Sequence, residues 1–191
     1  MPWKKLLCCV IICLILSGCQ HQVSPTQDAL DFRTALLEAG GCRFQAVIGA
    51  DYGDRVYSFT VTCMYNTDGT ASITVLQPEE IAGITAKVSE NGTKIEFENM
   101  ALDFGVMANG TVSPMMACQV LGRCWSSSYI SCGGSDGDLQ RITYLDGYEE
   151  EELTVDTWLD GTGLPVYAEM MYDGTRCLTL QLTDFRFEDD L

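Results

Sequence analysis

CRFQAVIGADYGDRVYSFTVTCMY, residues 42–65, is the stretch on which the fold turns. Apolar and polar residues alternate on both sides of Asp51-Tyr52-Gly53-Asp54, a turn-forming tetrad that joins two antiparallel strands. With Tyr52 and Gly53 as the loop, Phe44 faces Val61, Ala46 faces Phe59, Ile48 faces Tyr57 and Cys42 faces Cys63. All eight then share one face, while Arg43, Gln45, Ser58, Thr60 and Thr62 occupy the other. A one-residue slip would turn every apolar side chain to the wrong side, so the register is well specified. The opposed cysteines define a candidate disulfide, Cys42–Cys63, of the strained kind that facing ladder positions allow.

Upstream, Ser24-Pro25 reads as N-cap and first residue of a helix whose apolar face is Ala29, Phe32, Leu36 and Leu37, stopped by Gly40-Gly41. Downstream, Asp68-Gly69 turns into a strand over 72–76, and Asn91-Gly92 joins strands over 84–89 and 93–98. Residues 106–112 and 133–138 read as loops, and Pro114 opens a second helix to about Cys124 that carries Met115, Met116, Val120 and Leu121. Four more strands follow over 140–145, 153–159, 165–172 and 176–187. The Asp173-Gly174 turn sets Tyr167, Glu169 and Met171 opposite Leu180, Leu178 and Arg176. A meander of nine or ten strands must curl or be covered to protect its edges. The expected class is therefore α+β, mainly β: a strongly curved antiparallel sheet, an incomplete barrel, wrapped over one or two helices.

The N-terminus carries a separate signal. Lys4 and Lys5 precede an apolar run of eleven residues, Leu6 to Leu16, too short for the ~20 of a membrane-spanning helix. Leu16-Ser17-Gly18-Cys19 resembles the lipobox of bacterial lipoprotein signal peptides. That resemblance implies a signal peptide over 1–18, a lipidated tether over 19–24 and a single domain over 25–191. Cys19 would carry a thioether-linked diacylglycerol, which meets the two-chain requirement for stable anchoring. The implied location is the extracytoplasmic side of the cell membrane.

Removing Lys4 and Lys5 from the 11 basic residues leaves 9 against 27 acidic ones, a formal net charge of −18. Such a surface is repelled by nucleic acid, which excludes a nucleic-acid partner. Six cysteines follow the lipobox (Cys42, Cys63, Cys118, Cys124, Cys132 and Cys177), without the Cys-x2–4-Cys spacing of a zinc site. Gly133-Gly134-Ser135-Asp136-Gly137 matches G-x-S-x-G, but the single histidine, His21, lies more than a hundred residues upstream, and the context reads as a loop. Asp136, Asp138, Asp146 and Glu149 to Glu152 lack EF-hand spacing. No enzyme activity, cofactor or metal is expected.

The order of elements resembles the LolA/LolB-like lipoprotein-carrier superfamily, including its small envelope lipoproteins in Gram-positive spore formers. The resemblance covers about Leu30 to Phe187. It rests on the opening helix, the strands Phe44-Gln45-Ala46-Val47 and Tyr57-Ser58-Phe59-Thr60-Val61, and the segment Gln77-Pro78-Glu79-Glu80-Ile81-Ala82-Gly83. It continues through Val88 to Ile95, the Pro114 helix, and the closing Trp158-Leu159-Asp160, Leu164-Pro165-Val166 and Tyr172-Asp173-Gly174. What it implies is an apolar cavity that shields acyl chains. Candidate lining residues are Phe44, Ile48, Tyr57, Phe59, Val61, Ile73, Val75, Ile84, Ile95 and Phe97, with Met115 and Met116 on the lid. Two functions stay open: a membrane-anchored protein binding a lipid acyl chain or lipoprotein, and a non-enzymatic scaffold without a cavity. The scaffold would dock an envelope protein, in sporulation or germination for example.

Overall fold

The computed structural model describes residues 24–53, 55–89, 92–97, 100–104, 107–108, 111–147 and 152–188, with backbone only for most of 89–111. The signal segment, Cys19 and the tether before Ser24 lie outside the described residues.

Helix α1 spans Pro25–Ala39. The Ser24 hydroxyl accepts the Gln27 N–H at 3.3 Å, Pro25 occupies the first turn, and Gly40 ends the helix at φ 78°. Its buried face is Ala29, Phe32, Leu36 and Ala39, while Leu37 is 48% exposed, contrary to the sequence reading. The helical stripe needs only one of the two adjacent leucines, and Leu36 fills it.

Strands β1 (Gly41–Asp51) and β2 (Val56–Asn66) form the expected hairpin with a different register. The Tyr52 N–H donates to the Arg55 carbonyl at 2.9 Å, so the turn centres one residue later, past Gly53 at φ 83°. Moving the centre by one moves every partner by two and leaves the faces intact. Phe44 therefore faces Cys63, Ala46 faces Val61, Ile48 faces Phe59 and Cys42 faces Tyr65. Cys42 and Cys63 are now diagonal neighbours. Diagonal positions lie ~7–8 Å apart, beyond the usual reach of a disulfide. All six described cysteines are free thiols.

Strands β3 (Ala71–Gln77), β4 (Thr85–Ser89), β5 (Gly92–Phe97) and β6 (Met100–Phe104) continue the meander. A short hairpin of β7 (Met107–Ala108) and β8 (Thr111–Val112) follows, where the sequence read only a loop. After a 3-10 turn over Pro114–Met116 comes α2, Ala117–Ser126. The second meander is β9 (Tyr129–Asp136), β10 (Leu139–Asp146), β11 (Leu153–Leu159), β12 (Pro165–Tyr172) and β13 (Thr175–Phe187). The Gly-rich segment 133–138, whose composition predicts a loop, belongs mostly to β9, an edge strand paired to β10 around Gly137.

The large sheet has eleven antiparallel strands in the order β6-β5-β4-β3-β2-β1-β13-β12-β11-β10-β9, so β1 and β13 join the two meanders. The sheet is open, and it curls. Flat, β3 and β10 would stand six strand spacings apart, ~29 Å. Helix α2, ten residues and so ~15 Å long, touches both. Helices α1 and α2 lie within the curve and pack on each other.

Two bulges set details that alternation does not predict. Cys177 is an extra residue in β13, so Met171 faces Arg176 as expected but Ala168, not Tyr167, faces Leu180, and Met170, not Glu169, faces Leu178. Farther along β13, two residues (Asp184 and Phe185) stand where β1 has only Phe44. Asp184 takes a φ of 52°, and Phe185 stacks on Phe44 at 6.1 Å.

Candidate functional site

The interior divides into a packed half and a hollow half. The packed half surrounds Trp125 of α2, whose ring meets Phe32 at 5.6 Å, Phe44 at 5.5 Å and Phe185 at 6.0 Å. Its indole N–H donates to the Thr157 hydroxyl at 3.1 Å. Tyr65 packs against Gly122, where an added Cβ would lie 2.1 Å from its ring, and its hydroxyl meets that of Ser126 at 2.8 Å. Arg33 of α1 clasps the end of α2, donating to the carbonyls of Cys124, Trp125 and Ser128 at 3.1, 2.8 and 2.7 Å. The Cys124 and Trp125 carbonyls are helix-end acceptors that otherwise lack partners, and Ser128 lies just past the cap. Arg123 pairs with the buried Asp146, which also accepts from Ser128.

The hollow half is an apolar pocket of about 340 Å³. Its floor is Ile48 of β1, Val61 of β2 and Val75 of β3, all buried. Tyr57 and Phe59 of β2, whose rings stack at 6.3 Å, form one wall, with Tyr52 beside Tyr57 at 6.0 Å. Ile81 and Ile84, from the β3–β4 connection, and Pro114 and Met115, ahead of α2, form the opposite side. The pocket opens to solvent, and Tyr57 on its wall is 40% exposed. Burial, and then the nearby Cys177 thiol, raise the Tyr52 phenol above its ordinary pKa, so it stays neutral at neutral pH. None of the described lining residues is charged. Such a surface offers contact area and excludes ions.

Seven of the twelve expected lining residues meet here: Ile48, Tyr57, Phe59, Val61, Val75, Ile84 and Met115. Phe44 and Met116 do not. Phe44 is consumed by the aromatic cluster, and Met116 is fully buried in the core. Ile73 is also buried and stands outside the lining. The side chains of Ile95 and Phe97 lie outside those described. Tyr52, Ile81 and Pro114 were not anticipated. The first two sit in turns, where strand alternation gives no signal, and Pro114 marks a helix start, which carries no sign of a pocket.

Ser135 lies in edge strand β9, opposite Gln140, and the chain continues into another strand. A nucleophile elbow would lead into a helix. Among the described residues, no group of three or more His, Cys, Asp or Glu is placed to hold a metal. No described helix is long and apolar enough to cross a membrane.

No family model matches the chain, and no curated protein matches it significantly. Solved structures with a similar chain course include a LolA superfamily protein from Nitrosomonas europaea, 7% identical, TM-score 0.49, covering 86% of this chain and 94% of that one. Another is a putative outer membrane lipoprotein-sorting protein domain from Vibrio parahaemolyticus, 8% identical, TM-score 0.47, covering 85% and 94%. A third is the lipoprotein LppX from Mycobacterium tuberculosis, 12% identical, TM-score 0.35, covering 82% and 94%. With TM-scores below 0.5, these likenesses decide nothing about cargo.

Proposed function

We propose that this chain is a non-enzymatic envelope lipoprotein, tethered through Cys19, whose apolar pocket takes an acyl chain. The observation that carries the reading is the partly aromatic pocket of about 340 Å³, whose described lining residues carry no charge. Its size is at the lower end of the ~300–1,000 Å³ of small-molecule sites, which suits one chain better than a whole triacylated lipid. The lipobox and its positive flank support the tether, which would hold the pocket close to the membrane.

Native mass spectrometry of the purified chain tests the reading. Co-purified lipid, or saturable binding of a fluorescent fatty-acid probe, is the expected result. Phe59→Asp places a carboxylate in the pocket wall and is expected to weaken probe binding by roughly 100-fold. Circular dichroism must show that this variant is folded. The packed half of the interior favours a second reading, a scaffold that docks an envelope protein. An empty, folded protein that binds no probe would replace the first reading with the second.

A further inference from the structure

Three of the six described thiols gather where α2 meets the first hairpin. Cys42 comes from β1, Cys63 from β2 and Cys118 from the second residue of α2, and all are buried. The Cys118 thiol donates to the Met64 carbonyl at 3.2 Å, which seats it against β2 one residue from Cys63, and both thiols are buried on the same interior side. The three do not form a group able to hold a metal. Two buried thiols brought side by side from elements far apart in sequence can form a covalent bond.

We propose that Cys63 and Cys118 are a disulfide-forming pair that ties α2 to β2, with a small-molecule disulfide as oxidant. One protein thiolate attacks a sulfur of the oxidant and displaces one small thiolate. The second protein thiolate then attacks the protein sulfur of that mixed disulfide and displaces the other. The two protein thiols are oxidised to one S–S bond, the oxidant is reduced to two thiols, and the two protons pass to the departing thiolates. Thiolates are the reacting species. Burial strongly raises the Cys118 thiol above its ordinary value, with the Cys63 contact adding to it, so the closed protein resists the reaction. The bond therefore forms while the chain folds, before α2 seals the site. The pairing does not depend on what the pocket holds.

The test is refolding of the full chain with oxidised glutathione, trapping of remaining thiols with iodoacetamide, and tryptic mapping without reductant. Cleavage separates the three sites, with Cys42 on peptide 34–43, Cys63 on 56–87 and Cys118 on 95–123. The expected product is 56–87 linked to 95–123, two hydrogens lighter than the sum of the free peptides. Its Tm should exceed that of the reduced chain by roughly 5–15 °C, since the bond closes a long loop. Cys118→Ser should abolish both the linked peptide and the Tm gain, and Cys42→Ser should preserve both. Full alkylation of Cys63 and Cys118, or a link from either to peptide 34–43, overturns the proposal.

Discussion

Phe44 and Ile48 sit four residues apart on one face of one strand, yet Phe44 packs against Trp125 and Phe185 while Ile48 floors an open pocket. Both positions obey the same alternation, and both side chains are buried. The difference comes from elsewhere in the chain. Trp125 arrives on α2 and Phe185 on a bulge of β13, and both reach only one end of the hairpin. A hollow in such a fold is a place that the covering elements do not reach, rather than a place with special strand residues.

Removing the filler should have the largest effect. Trp125→Ala deletes a fully buried indole and its bond to Thr157, and should cost about 3–5 kcal/mol in denaturant unfolding. Retention of near-normal stability would mean that the two halves are not differently packed. Gly122→Ala attacks the same half by overfilling, since the new methyl would meet the Tyr65 ring, and should cost about 1–3 kcal/mol by the same measurement. In the hollow half the cost moves from stability to binding. Ile84→Trp should leave Tm within a few degrees and reduce fatty-acid probe affinity about 10-fold, near 1.4 kcal/mol. A large loss of Tm with unchanged affinity would show that the space is not available to ligand.

The smallest effect is a difference in alkaline titration. Burial raises both Tyr144, in the packed half, and Tyr52, at the pocket, above the ordinary phenol value of 10.0. A phenol whose pKa is raised by folding contributes stability that is complete below the unfolded value and lost as pH climbs through the folded one. Stability should therefore decline above about pH 10. Phenolate absorbance should show Tyr52 ionising before Tyr144, with Tyr52→Phe and Tyr144→Phe assigning the steps. The reverse order would place Tyr144 nearer to water than Tyr52.

Strand faces were legible because the side-chain period is two, and any partner shift of two preserves them. That is also why the register of β1 against β2 was not legible, and with it the Cys42–Cys63 pairing. The bulge at Cys177 leaves no mark in composition. Strand β9 was hidden by Gly133 and Gly134, which read as loop, although Gly133 lies where an added Cβ would meet Pro25 at 3.0 Å. The hairpin part of the pocket was legible as apolar residues of one face. Its hollowness was not, because cavity walls and packed cores draw on the same residue types.

The junction of β1 with β13 bears on how the molecule is made. Residues 41–51 find one neighbour at once in β2, but their other neighbour, 175–187, emerges more than a hundred residues later during synthesis. Until then a strand destined for mid-sheet presents a bare row of amides and carbonyls to any passing chain. The vulnerable interval of this protein is thus written into its strand order, and it ends only when β13 docks.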